Sequence, residues 1–251
     1  MKNMKGVLIC GGFGTRLRPL TEITNKSLLP VYDRPLIHYP LDVLIQANIR
    51  EIAVVTGPEH IDQIASYLAS GNRFGCTFTY TIQDEPRGLA HALSLVEAFA
   101  MGESVCALLG DNIFFDDLSP AIQSFREGAL LFLKEVPDPK RFGVAELESY
   151  PTKEMNAVRI LSVEEKPQHP KSSYALTGCY IFDSHCFDYI KTLRPSPRGE
   201  LEITDLSRKY LERGALRASL LHKPWVDAGT FESLFLASQL VRETRNHADT
   251  P

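Results

Sequence analysis

Residues Lys5-Gly6-Val7-Leu8-Ile9-Cys10-Gly11-Gly12-Phe13-Gly14-Thr15-Arg16-Leu17-Arg18-Pro19-Leu20-Thr21 decide how the rest of the chain is read. An apolar run stops abruptly at Gly11, Gly12 and Gly14, Arg16 follows directly, and Lys26 comes soon after. A run that is apolar on both faces reads as a strand buried in a parallel sheet, placed at Lys5–Cys10. Glycines just past such a strand let the backbone turn tightly and bring its N–H groups against an anion. Arg16 and Lys26 supply the full positive charges that amides lack. The combination describes a polyphosphate site. It is not a P-loop, because no Gly-Lys-Ser or Gly-Lys-Thr follows a strand. It fits the dinucleotide fingerprint poorly, because the third glycine position, counted from Gly12, holds Leu17.

Outward from this stretch, strand and helix signals alternate. Strands are expected at Glu51–Thr56, Thr77–Ile82, Ser104–Leu109 and Ala129–Val136. Helices are expected at Leu36–Asn48, Ile61–Ala69, Leu89–Ala100 and Leu118–Arg126, the last opened by Asp117 or Ser119. This alternation predicts an α/β fold with a doubly wound, mainly parallel sheet. Ligands of such sheets sit beyond the carboxyl ends of the strands, where the glycine loop and the Gly110-Asp111-Asn112 turn both fall. The second half carries shorter strands, Gly143–Leu147, Ala157–Val163, Leu176–Phe182 and Leu216–His222, and ends in a helix from Phe231. No linker or composition break separates the halves, so the whole of 1–251 is expected to be one domain.

The bulk properties narrow the class. With 251 residues, 44% of them hydrophobic, the chain can bury a substantial core. A formal net charge of -4 argues against a nucleic-acid partner, whose contacts need a basic face. No apolar stretch reaches the ~18 residues of a membrane helix, and the N-terminus lacks the features of a signal peptide. The cysteines Cys10, Cys76, Cys106, Cys179 and Cys186 are widely spaced, mostly inside apolar runs, and show no zinc spacing. They read as buried thiols of a reduced, cytoplasmic protein.

Individual residues admit two readings. Asp111 is either an Asx-turn residue or, since triphosphate chemistry needs a hard cation, a metal ligand at a strand end. Gln83 and Gly88 are a strand end and a turn glycine, or groups that face a ligand. Glu164-Glu165-Lys166 is a solvated charge run or a binding motif. Thr204 and Asp205 make sense as a helix cap.

The block from Gly11 to Thr21, with Lys26-Ser27-Leu28-Leu29-Pro30-Val31 and Gly110-Asp111-Asn112, resembles the signature of the sugar-nucleotidyltransferases. Tyr32-Asp33-Arg34-Pro35-Leu36-Ile37-His38-Tyr39-Pro40-Leu41 draws the likeness toward the short glucose-1-phosphate thymidylyltransferase branch. It spans Lys5 to about Thr230. The resemblance implies a Rossmann-like fold with an inserted sugar-binding subdomain laid over the same sheet: a nucleotide-binding half at about 1–135, a sugar-binding half at about 136–230, and a C-terminal helix and tail at 231–251. It implies transfer of a nucleotidyl group from dTTP to glucose 1-phosphate with release of pyrophosphate. The substrates would be small molecules, and the assembly a homo-oligomer. UTP or another nucleotide with a different sugar phosphate is the alternative within the class, and a non-catalytic sensor of nucleotide sugars the alternative outside it.

Residue roles follow from the same resemblance. Arg16, Lys26 and Lys166 would be catalytic. Leu8, Gly11, Gly12, Gly14, Thr15, Arg16, Lys26 and Asp111 would hold the nucleotide, with Gln83 and Gly88 on its pyrimidine. Asn112, Gly143, Glu165, Lys166 and Leu176 would shape the sugar site. Asp111 and Asp227 would bind Mg²⁺. The chain departs from the family pattern at Ser27 and His91, each in place of a glutamine, at Phe142 in place of a tyrosine, and at Ala228 in place of a threonine. Longer members carry further C-terminal helices tied to a regulatory nucleotide site, which is expected to be reduced or absent with an end at Pro251.

Overall fold

The computed structural model describes residues 4–148 and 158–248. In β1 (Met4–Ile9), Val7 and Ile9 point to one apolar core and Leu8 to another, which accounts for the unbroken hydrophobic run. A small ribbon, β2 (Pro30–Val31) and β3 (Arg34–Pro35), leads into α1 (His38–Gln46), β4 (Glu51–Thr56), α2 (Ile61–Leu68) and β5 (Thr77–Ile82). Then come α3 (Leu89–Ser94), α4 (Glu97–Ala100), β6 (Ser104–Leu109), β7 (Asn112–Phe114), α5 (Ser119–Ser124) and β8 (Ala129–Glu135). The second half contributes β9 (Gly143–Leu147), β10 (Ile160–Glu165), β11 (Tyr174–Phe182), α6 (His185–Ile190), α7 (Ile203–Leu211), β12 (Leu216–Leu220), β13 (Trp225–Asp227) and α8 (Phe231–Ala248).

β6, β1, β4 and β5 lie side by side and parallel. Leu41, Leu44, Ile64 and Ile122, from α1, α2 and α5, pack on one face with Leu8, Val54 and Leu108. Leu93, Phe187, Leu206 and Tyr210, from α3, α6 and α7, pack on the other with Val7, Val55 and Ala107. The sheet is therefore doubly wound, as the alternation predicts. The chain leaves β1 toward β4 on one side and returns to β6 on the other, so the strand order switches at β1 and opens a crevice beyond its carboxyl end.

The strands of the second half extend this sheet edge to edge instead of lying over it. Eight of the nine residues of β11 are buried, so its backbone groups need partners along both edges. It runs antiparallel to β6 through Cys179–Phe182 and to β8 on its other side. Near its start, Ala175 passes from β6 to β9, which pairs with β10. Outside the main sheet, β7 and β13 form an antiparallel ribbon that α8 covers through Ala237 and Val241.

Several expected elements shift by a residue or two at their ends, and four differ for reasons the structure shows. The helix placed at Leu89–Ala100 is two helices, because Ser94 Oγ bonds back to the His91 carbonyl at 2.7 Å and Val96 leaves the helical region. The helix placed at Leu36–Asn48 ends at Gln46, and Asn48 takes a left-handed conformation with φ 64°. In the region read as Ala157–Val163, β10 starts at Ile160, and Ala157 lies outside the described residues. The Leu118–Arg126 helix shortens to Ser119–Ser124, opened by Asp117 Oδ1 accepting from the Ser119 N–H at 2.9 Å. All five cysteines are buried free thiols, and burial pushes Cys10 up to about 12. Among the described residues no helix is long and apolar enough to cross a membrane.

Candidate active site

Beyond the carboxyl ends of β1 and β6 lies a cavity of about 580 Å³. The glycine loop forms one rim. Gly12 and Gly14 adopt φ values of +95° and +57°, which a residue with a Cβ takes only under strain. Gly14 is also closed in by Thr21, whose Oγ1 donates to its carbonyl at 2.8 Å. Thr15–Leu17 make one short turn that sinks Leu17 into the core and leaves Arg16 at the cavity. Asn25 ties the next loop to the first: Nδ2 donates to the Cys10 carbonyl at 2.9 Å, and Oδ1 accepts from the Ser27 N–H at 2.8 Å. That clamp delivers Lys26 to the same rim.

Lys26 Nζ meets Asp111 Oδ2 at 2.5 Å, with the carboxylate buried. Burial opposes both charges, but each outweighs that cost for the other. The lysine is held above its ordinary range and the aspartate below its own. Asn112 fixes the second Asp111 oxygen. Its Nδ2 donates to Oδ1 at 2.9 Å, and its own oxygen accepts from the Gly178 N–H at 3.1 Å and from Trp225 Nε1 at 2.7 Å. Asp227 arrives from the paired ribbon opposite Asn112. Burial first, then the nearby Asp111 carboxylate, push Asp227 up to about 6. A Cβ on Gly229 would lie 2.8 Å from Arg16 Nη2 and 3.0 Å from Asp227 Oδ1, so the glycine leaves room for both side chains at this wall of the cavity.

The far end of the cavity is built by the second half. A Cβ on Gly143 would come 2.7 Å from Thr204 Cγ2 and 3.4 Å from both Glu165 Oε2 and Leu176 Cδ2, so the glycine opens this corner. Glu165 accepts from Thr204 Oγ1 at 3.2 Å, and burial, then the neighbouring Glu202, raise its pKa. Lys166, the residue after β10, is in the left-handed region, φ 41°, with its N–H on the Phe142 carbonyl at 3.0 Å. Such strain in a non-glycine residue persists only where the surroundings impose it, and here it turns the lysine toward the cavity.

Most of the residues singled out from sequence meet in this one space: Gly11, Gly12, Gly14, Thr15, Arg16, Lys26, Asp111, Asn112, Gly143, Glu165, Lys166, Leu176 and Asp227. Three do not line it. Leu8 is fully buried and packs into the core beneath. Gln83 lines an adjoining cavity of about 330 Å³ that shares Gly12. Gly88 lines neither, but it lets the chain pass Leu201, whose carbonyl would lie 2.4 Å from a Cβ there. Sequence reasoning took Thr204 and Asp205 for a helix cap, yet α7 starts at Ile203 with Glu202 at its cap position. Thr204 faces the cavity, and Asp205 pairs with Arg208 at 2.8 Å. The family-like segments at 198–205 and 224–230 also contain Arg198, which bridges Glu202 at 3.0 Å and Glu200 at 3.2 Å, and Trp225, which lines the wall, and sequence reasoning assigned neither a role in the site. Glu200 and Glu202, two and four residues after Arg198, were the available signal for its ion pairs.

The comparisons with known proteins agree with this architecture. The chain is 44% identical over 255 residues to a glucose-1-phosphate thymidylyltransferase from Neisseria meningitidis, a match covering 97% of this chain and 84% of that protein. It is 41% identical over 247 residues to the protein of the same name from Xanthomonas campestris, covering 96% and 81%. Among solved structures, a Bacillus anthracis chain provisionally given that name and crystallised with sucrose superimposes with a TM-score of 0.87 at 46% identity, covering 96% of each chain. A UDP-glucose pyrophosphorylase bound to UDP-glucose superimposes with a TM-score of 0.86 at 25% identity, covering 97% of this chain and all of that one. The family model described as nucleotidyl transferase matches residues 5–244. On sequence, fold and the gathering of these side chains at one crevice, the chain belongs to the nucleotidyl transferase family.

Proposed function

We propose that the chain transfers a thymidylyl group from dTTP to glucose 1-phosphate, giving dTDP-glucose and pyrophosphate. The observation that carries this reading is the division of the cavity. At one end, a glycine loop, Arg16 and Lys26 face Asp111 and Asp227; at the other, Lys166, Arg198 and Glu165 line a polar pocket. A triphosphate fits the first end and a sugar phosphate the second. The names of the relatives point to the same pair of substrates.

The residues also fit a divalent cation. Burial, and next the Asp111 carboxylate, hold Asp227 up at about 6, and a hard cation between the two carboxylates would offset both costs of ionising it. Mg²⁺ is commonly held by one or two carboxylates, with substrate phosphates and water completing its shell. Asp111 and Asp227 would hold it, and it would supply charge neutralisation on the phosphates.

The reaction is an in-line displacement in which the sugar phosphate oxygen attacks the α-phosphorus and the bond to the leaving pyrophosphate breaks. No covalent enzyme intermediate is required, so the chain contributes position and charge. Arg16 and the loop N–H groups neutralise the leaving phosphates. Lys26 binds the triphosphate next to the reacting centre. Lys166 and Arg198 hold the attacking phosphate against repulsion from the first anion. Glu165 accepts from sugar hydroxyls in the corner that Gly143 leaves open.

UTP in place of dTTP is the second reading, favoured by the structural likeness to the UDP-glucose pyrophosphorylase. Pyrophosphate release with Mg²⁺ and glucose 1-phosphate, run in parallel with dTTP, UTP, dCTP, GTP and ATP, tests both. Highest kcat/KM with dTTP is expected. Absence of turnover with every nucleotide and a panel of hexose phosphates would overturn the enzymatic reading.

A further inference from the structure

Gln83 follows β5 and is almost wholly buried, at 6% exposure. Its Nε2 faces the Gly88 carbonyl at 3.3 Å and His91 Nδ1 at 2.9 Å. A carbonyl only accepts, so the group against Gly88 is the amide NH₂, and its second hydrogen goes to an unprotonated His91 Nδ1. Both donors are thereby used. The carbonyl oxygen, Oε1, is turned to the glycine loop, 3.1 Å from the position of a Cβ on Gly11, and accepts no hydrogen bond among the described residues. Gln83 accordingly shows the nucleotide an acceptor and no spare donor.

We propose that His91 is the positioning residue that sets base discrimination, by holding Gln83 with its carbonyl toward the nucleotide. This rests on the reading of Gln83 as the base contact. An acceptor at that point matches the ring N–H of thymine or uracil and opposes cytosine, whose ring nitrogen carries a lone pair there. The 3.3 Å bond to Gly88 alone is a long anchor for a group that can turn by half a rotation. A ring that donates from Nδ1 would reverse the amide. Gln83 would then accept from His91, turn its NH₂ outward and leave the Gly88 carbonyl without a partner. Burial, and next the nearby Arg87, favour the neutral ring, while Glu85 favours protonation. These charged groups that act on it stand in the turn before α3.

The test compares dTTP with dCTP as kcat/KM for wild type, His91→Leu and His91→Gln, each checked by thermal melting. His91→Leu removes the acceptor and frees the amide. The ratio is expected to fall by about tenfold, through a higher KM for dTTP with kcat nearly unchanged, the worth of one hydrogen bond. His91→Gln offers an acceptor again and is expected to restore most of the preference. In wild type the preference should weaken only as pH falls below the ordinary histidine range, because burial holds the ring neutral, and in His91→Gln it should not. A wild type that favours dTTP together with a His91→Leu enzyme that keeps the full ratio overturns the role of His91 alone. A wild type that uses dCTP as well as dTTP overturns the reading of the base site and this proposal with it.

Discussion

The Lys26–Asp111 pair concentrates the chemistry of the site in two atoms 2.5 Å apart, and it makes stability and activity separable. A buried ion pair contributes little net stability, but removing one partner strands the other charge. Lys26→Met should therefore destabilise the fold by about 3 kcal/mol, and adding Asp111→Asn should recover most of that loss while activity stays absent in both. Equal melting temperatures for the single and double variants would refute the coupling. Asp227 behaves oppositely. Its pKa in the folded chain, about 6, lies above the ordinary 3.8, so its contribution to stability is complete below that lower value and is lost as pH rises through the upper one. In EDTA, the metal-free protein should lose part of its melting temperature over that window, and Asp227→Asn should show a shallower decline. The same variant should lose at least ~10²-fold in kcat, as expected when a group that stabilises transition-state charge is removed. Parallel melting profiles in wild type and variant would deny Asp227 its strained charge.

At the scale of elements, the site depends on a point where the sheet changes partners. Between Ala175, opposite β9, and Cys179, opposite β6, the edge of β11 is free of strand partners, and the Gly178 N–H is taken by Asn112 instead. A Cβ on Gly178 would fall 2.5 Å from the Asn112 side chain, which also holds Asp111. Gly178→Ala should thus destabilise by about 2 kcal/mol and lower kcat well beyond its effect on KM, since overpacking moves the side chain that orients a carboxylate. An unchanged kcat would detach Asn112 from the chemistry. Glycines of this kind mark the limit of what sequence discloses. The four parallel strands were legible to within a residue because β-branched and apolar runs bounded by glycines have few other uses. The glycine loop, Lys26 and Asp111 were legible because an anion site needs them side by side. The β7–β13 ribbon was not, for each strand has only three residues and is defined by its partner. Likewise Thr204 looks like a cap and becomes a cavity residue only because α7 packs along β10. Leu8 shows the converse, a residue in the right motif whose side chain belongs to the core.

Over the whole molecule, the two ends of the cavity come from different halves of the chain that share one sheet. β11, from the second half, is hydrogen-bonded to β6, from the first, and β13 to β7 in the same way. Separating the halves would strip ladder hydrogen bonds from a strand buried at eight of its nine residues, so we expect them to unfold together as a single domain. Trp225, the only tryptophan, reports from the junction: it pairs through β13 with Phe114, donates to Asn112 and stacks edge-on against Phe142 at 5.3 Å. Urea unfolding followed by Trp225 fluorescence and by far-ultraviolet circular dichroism should give coincident transitions, whereas an early fluorescence transition would reveal halves that melt separately. A ligand that spans both halves binds only when they are joined, and so must stabilise the entire unit. At a concentration of 100 times its Kd, dTDP-glucose should add about 2.7 kcal/mol to unfolding and move both probes together. Movement of one probe without the other would mean that the nucleotide sugar is held by one half and that the cavity between them is not the binding site.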